Sequence, residues 1–359
     1  MIDLHESDEV IDEYAQRYHD LLPVSTRKAV QYGEEVDASQ FSDWGKDFPQ
    51  LNSDMDALDR AKGALIGLAI GDAVGTTLKF KPRDSEHVYD MVGGGPFKLK
   101  PGQWTDDTSM AICLAEACLE SGRVDINLFR DKLVEWYKGG KNSVNHPCFD
   151  IGNTTRYALE QYIIHGKGWY GNTSKNTAGN AGLIRQSPAV IFKWRSLKEI
   201  HYVTKNQSKA THCAAESLFS CQLHGFVLYM LLNGYDKETA LSPHCIPLVS
   251  RVLIINAGEY KNKSRDQIRS GGYIIDTLEA AMWSVWNTNN FKDAILLAAN
   301  LGDDAGSVAA TAGQIAGALY GYSDIPEAWL NKLVQKERLV SLSESLFHFG
   351  ANKNKVFMF

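Results

Sequence analysis

This chain of 359 residues has no CxxC pair and no histidine at zinc-finger spacing. Its six cysteines (113, 118, 148, 213, 221, 245) are scattered, so a zinc finger is excluded and free, mostly buried thiols are expected. It lacks a run of about 18 apolar residues, the length a membrane span needs. Its start, Met1-Ile-Asp-Leu-His-Glu-Ser-Asp-Glu, lacks the positive flank and apolar stretch of a signal peptide. A soluble, cytoplasmic protein without a membrane partner is the expectation. Basic charge is not in excess either: 37 Lys and Arg face 43 Asp and Glu, a net of −6, which argues against a nucleic-acid binder. No Gly/Ser/Pro-rich linker interrupts 58–335, and no candidate strand alternates convincingly.

What is present is unevenly distributed. Residues 1–56 hold 14 Asp and Glu against 4 Lys and Arg, a net of −10, and the remainder nets +4. The chain therefore divides into an acidic N-terminal extension, 1–56, and a main domain, 57–359. Within the extension, Ser7 is placed to cap a short helix with Ile11, Tyr14, Tyr18 and Leu21 at helical spacing, stopped by Pro23. Phe41, Trp44 and Phe48 then punctuate a polar stretch. Aromatics among carboxylates suit a basic, partly apolar groove on a partner, or they fold back onto the protein's own body.

From Leu58 the pattern is helical. Gly63, Gly67, Gly71 and Gly75 recur every fourth residue, and Ala309, Gly313, Gly317 and Gly321 repeat the spacing near the far end. Each glycine costs about 1 kcal/mol in a helix relative to Ala. Two such stripes imply two helices packed backbone to backbone. Further helices are expected near 127–138, 153–164, 208–232, 237–257, 272–286 and 291–300. The fold class is all-α, a compact single domain with an extension.

Two acidic clusters stand at helix starts. Thr105-Asp106-Asp107-Thr108 precedes a run containing Met110, Ile112, Cys113 and Leu114. One cap and one charge satisfy a helix start; a second adjacent carboxylate repels the first unless a cation lies between them. The other cluster, Asn300-Leu-Gly-Asp-Asp-Ala-Gly-Ser307, offers Asp303 and Asp304 to pair with Asp106 and Asp107. Carboxylates and hydroxyls from two helix starts make a hard-oxygen site, suited to Mg²⁺, Mn²⁺ or Ca²⁺. Asn180 and His212 are polar points between helical segments.

These residues carry a resemblance. GALIGLAIGDAVGTTLKFKPRD, GGGPFKLKPGQWTDDTSM, CFDIGNTTRYAL, GGYIIDTLEAA and NLGDDAGSVAATAGQIAGALYG, in that order over about 58–335, resemble the ADP-ribosylglycohydrolase family, also called the dinitrogenase-reductase-activating glycohydrolases. The resemblance implies an all-α fold, a cleft holding two Mg²⁺, and hydrolysis of the bond joining ADP-ribose to a protein side chain, often arginine. By position it implies metal ligands at Thr105, Asp106, Asp107, Asp304 and Ser307. It implies substrate contacts at Asn153, Asn180, Gly182, His212 and Tyr273, and catalytic positions at Lys79, Asp106 and Asp304.

Two of those positions depart from the family pattern. Where the family usually places a water-activating glutamate, this chain has Lys79. The family's Asp-Ala-Asp-Thr is here Asp304-Ala305-Gly306-Ser307. Both changes strip negative charge from a site whose two ions depend on it. Lys79 serves as a general base only if its pKa falls far below about 10.4, and nearby carboxylates push it the other way. The reading is an impaired site, with one or both ions weakly held or absent and Lys79 taking a metal's place. The acidic extension then points to an immunity protein that neutralises an ADP-ribosyltransferase toxin by plugging its electropositive cleft. The alternative is an active Mg²⁺-dependent hydrolase that removes ADP-ribose from modified arginines.

Overall fold

The computed structural model describes residues 1–23, 44–168 and 170–352. Among these every regular element is a helix, and β-pairing is limited to isolated bridges. The all-α expectation holds. No helix of the described residues is long and apolar enough to cross a membrane, and none of the six cysteines forms a disulfide among the described residues.

Helix α1 (Asp8–Ala15) starts at Ser7, whose hydroxyl accepts the Val10 amide, and a 3-10 turn over Gln16–Leu21 continues it. After Ser53, which accepts the Asp56 amide at 3.1 Å, α2 (Asp54–Gly75) runs through the centre of the molecule. The chain continues through α3 (Asp106–Ser121), α4 (Ile126–Gly139), α5 (Asn153–His165), α6 (Ala181–Ile184), α7 (Ser187–Phe192) and α8 (Leu197–Lys209). It then forms α9 (Ala215–Leu232), α10 (Lys237–Ala240), α11 (Ser250–Asn256), α12 (Ile274–Trp286) and α13 (Phe291–Ala299). The last three are α14 (Ala305–Tyr320), α15 (Glu327–Lys332) and α16 (Lys336–Ala351).

The axis of the fold is the pair α2 and α14. A side-chain carbon on Gly63, Gly67 or Gly71 would collide with the backbone carbonyl of Gly317, Gly313 or Ala309 respectively. The rising numbers of one helix meet the falling numbers of the other, so the two run antiparallel with their backbones touching. Residues 63–75 and 305–318 are buried without interruption. Close backbone approach and burial offset the glycines' helix cost. Around this pair stand α3, α7, α9, α12, α13 and α16. Gly321 closes the stripe: its backbone also lies against Gly63, and at φ 83 it ends α14.

Two long helices expected from the sequence are broken. The 208–232 segment divides into the end of α8 and α9, because Thr211-His212-Cys213 bends aside and His212 pairs with Asn172. The 237–257 segment divides at Pro243 and Pro247, which lack the amide a continuous helix requires.

The described ends of the acidic extension lie on the protein's own body. Ile2, Leu4, Ile11, Ala15 and Leu22 are buried. Glu259 accepts hydrogen bonds from the Ile2 amide and the Tyr14 and Tyr18 hydroxyls. Arg251 donates to the Leu4 and Glu6 carbonyls and to Asp8. At the other end Trp44 packs on His201 and Phe48 on Phe226 and Tyr235. Phe41 lies outside the described residues.

Candidate functional site

Because α2 and α14 are antiparallel, the end of one meets the start of the other, with Gly75 against Ala305. A 3-10 turn over Thr76–Leu78 carries the chain from α2 to Lys79, and Asp304 stands at the N-cap position of α14, its side chain making no capping hydrogen bond. The start of α3 joins them through Asp72. This α2 carboxylate accepts the Thr105 amide (2.9 Å) and hydroxyl (2.8 Å) and the Thr108 amide (3.2 Å) and hydroxyl (2.7 Å). Thr105 makes no side-chain cap of its own, so the amides at the start of α3 are capped from a neighbouring helix. Burial raises the pKa of Asp72, and the Thr108 and Thr105 donors work against that rise.

Lys79, 5% exposed, reaches into the space between these helix starts. Its ammonium donates to Asp150 and stands 3.7 Å from Asp304 Oδ1 and 4.0 Å from Asp106 Oδ1. Burial opposes the charge, yet Asp106, Asp304, Asp107 and Asp150 together hold its pKa well above the ordinary lysine value. Asp106 is raised well above the ordinary carboxylate range by burial and by Asp150 and Asp107. Asp107 is raised by burial and by Asp72. Asn180 donates to Asp304 Oδ2 at 2.8 Å and to the Thr277 hydroxyl at 2.9 Å.

The two-ion centre implied by the resemblance can be tested on these atoms. Asp106 Oδ1, both oxygens of Asp107 and Asp304 Oδ1 are buried without a hydrogen-bond donor among the described residues, which is the donor chemistry a hard cation takes. The space between Asp106 and Asp304, however, contains the Lys79 ammonium, and position 306 supplies no carboxylate. Among the described residues no group of three or more His, Cys, Asp or Glu is arranged to hold a metal. Two divalent ions do not fit this arrangement.

The remaining expected residues divide into those at the group and those away from it. Thr105 is tied to Asp72, and Ser307 lies buried in the first turn of α14. His212 and Tyr273 flank the Asn180 loop: Gly179 bridges to Tyr273, and the His212 ring lies beside Gly179. His212 is held neutral, at about 3, by burial and by Arg185. The Tyr273 hydroxyl donates to Glu216. Gly182 packs inward against Ser208 and Cys221, and Asn153 is exposed at the start of α5. Asp303 does not join Asp304. At φ 55 its backbone turns the side chain outward, beside Gly271 and a cavity of about 980 Å³ lined also by His5, Arg83 and Asp276. Sequence reasoning missed Asp72 and Asp150, although GDAVG and CFDIGNTT were both in view.

An all-helical scaffold with carboxylates from α2, the start of α3 and the start of α14 gathered around Lys79 defines a class, and comparisons place the chain in it. The ADP-ribosylglycohydrolase family profile matches residues 53–355. An ADP-ribosylarginine hydrolase Tri1 from Serratia proteamaculans is 59% identical, over 99% of this chain and all of that protein. Its namesake from Pseudomonas putida is 52% identical over 97% and 95%. The ADP-ribosyl-[dinitrogen reductase] glycohydrolase of Rhodospirillum rubrum is 32% identical over 77% and 91%. A solved ADP-ribosylglycohydrolase-related protein complex superposes with a TM-score of 0.74 at 33% identity, covering 82% of this chain and 99% of that one. This chain belongs to the ADP-ribosylglycohydrolase family.

Proposed function

We propose that this protein counters protein ADP-ribosylation in the cytoplasm chiefly by binding. It acts as an immunity protein that neutralises an ADP-ribosyltransferase toxin through its acidic N-terminal extension, on a glycohydrolase scaffold whose own hydrolysis is impaired. The observation that carries this is the Lys79 ammonium, hydrogen-bonded to Asp150 and 3.7 Å from Asp304. An ammonium has no lone pair with which to take a proton from water. The extension supplies the complementary charge for a cleft that binds an anionic dinucleotide. Its outward carboxylates Glu9 and Glu13 lie on the face of α1 opposite the buried Ile11 and Ala15.

The test measures affinity for a cognate ADP-ribosyltransferase. Neutralising Glu9, Glu13, Glu34, Glu35 and Asp37 to Gln or Asn is expected to weaken binding at least tenfold, with salt weakening the parent complex in the same way. Affinity indifferent to both would sink the proposal. The hydrolase reading is favoured by the 59% identical relative named as an ADP-ribosylarginine hydrolase and by the Thr105-Asp106-Asp107 run. Its substrate would be an ADP-ribosylated protein. Steady Mg²⁺-dependent release of ADP-ribose from modified protein by the unaltered chain would establish it.

A further inference from the structure

Lys79 and Gly306 look like two separate losses in the sequence, but the structure puts them against each other. A side chain at position 306 would begin 3.8 Å from Lys79 Cδ, 3.7 Å from the Thr76 amide and 3.9 Å from the Gly75 carbonyl carbon. That is ordinary contact for one carbon, so the backbone there is not closed to a side chain. What lies next to it is the lysine stem, and a carboxylate at 306 and that stem would compete for the same room. At the far end of the stem the ammonium meets Asp150 from the loop before α5, Asp304 from the cap of α14 and Asp106 from the start of α3. One cation thus joins three separate segments to the end of α2, which is the structural work that a bound metal performs.

We propose that the Lys79 ammonium is the resident cation of this site, housed in the room that Gly306 leaves. The two departures act as one unit, and the folded protein has no need of a divalent ion. A tethered ammonium cannot dissociate, so the joint between helix starts is independent of the metal supply. The Lys79 and Asp150 side chains are 5% and 7% exposed, so the ion pair is shielded from water. This deepens the binding reading above but does not depend on any partner, since the measurements involve no transferase.

The experiment uses the full-length protein, dialysed against chelator. Metal content is measured after re-exposure to Mg²⁺ or Mn²⁺, and thermal melting is followed with EDTA or with either ion. The unaltered chain is expected to retain no stoichiometric metal and to melt at the same temperature in all three. Lys79→Glu/Gly306→Asp is expected to bind Mg²⁺ and to melt several degrees higher with it, a rise larger than the sum of those in the two single variants. If Lys79→Glu alone does not fold, the unaltered chain's metal titration still decides. Stoichiometric Mg²⁺ or Mn²⁺ on the unaltered chain, with a matching rise in melting temperature, would overturn the resident-cation claim. Additive rises would overturn the claim that the two positions form one unit.

Discussion

Asp72 and Asp107 are both fully buried, yet their oxygens meet opposite circumstances. Those of Asp72 accept four hydrogen bonds from Thr105 and Thr108, while those of Asp107 accept none from a described residue. Removing Asp72 strands two amides and two hydroxyls in the interior, at roughly 1–3 kcal/mol for each donor left unpaired. Asp72→Ala is therefore expected to lose several kcal/mol in urea denaturation, and Asp72→Asn, which keeps one acceptor oxygen, distinctly less. The buried histidines supply a pH signature. His201 and His224 are each held near 3 by burial, far below the ordinary value of about 6.5. Their neutral forms contribute stability that is complete above 6.5 and is lost as pH falls toward 3, at about 1.4 kcal/mol per unit for each proton that only the unfolded chain accepts. Between pH 7 and pH 5 the denaturation midpoint should fall more steeply for the parent than for His201→Gln; parallel lines would refute this. At this scale the sequence was only partly legible. Asp72 sits within the glycine-striped run and reads as core, and Asp150 emerges from an irregular loop at φ 64. Adjacent Asp303 and Asp304 look equivalent until one positive φ sends them apart.

Helices were more legible than residues because periodicity survives substitution. α4, α5, α12 and α13 lie within a residue or two of expectation, and the glycine stripes announced the central pair. Where two helices were read as one, the break came from prolines or from the His212 bridge, neither of which alters the count of apolar residues. The stripe itself yields a sharp expectation. Gly67→Ala puts a methyl into the Gly313 carbonyl and beside the Phe291 ring, so the helices must separate at the cost of contact along their whole length. Overpacking costs about 1–3 kcal/mol where side chains can yield, and a backbone carbonyl yields less. Loss of at least 3 kcal/mol, or of soluble protein, is expected. By contrast Gly139→Ala, where a side chain meets open space, is the matched control and should leave denaturation nearly unchanged.

Across the whole molecule, the extension is held at both described ends. Arg251 links the first residues to Glu216, which receives the Tyr273 hydroxyl, and His5 pairs with Asp276 at 2.6 Å. Of the two alternatives weighed from the sequence, the described ends show the protein's own body: Trp44 is buried on His201 and Phe48, 40% exposed, packs on Phe226 and Tyr235, while Glu9 and Glu13 of α1 are exposed. Arg251→Met removes the bonds to Leu4, Glu6 and Asp8 but leaves the central helices untouched. Limited proteolysis should then cut within residues 1–22 several times faster with little change in melting temperature. Equal cutting rates would show that the apolar anchors suffice without Arg251.

The backbone contact of α2 with α14 also sets how this chain can vary in length. Lys79 and Asp304 are spaced by counting residues along two touching helices, and one residue advances a helix by about 1.5 Å and 100°. A single-residue deletion between Gly63 and Gly75 would swing the ammonium off its carboxylates and set every remaining glycine against the wrong carbonyl. The half-buried turn at Gly122, where a side-chain carbon would meet only the Phe349 ring among the described residues, has no such ruler. Length differences among natural variants should therefore gather in turns of that kind and be missing from the stretch between the first glycine and the lysine.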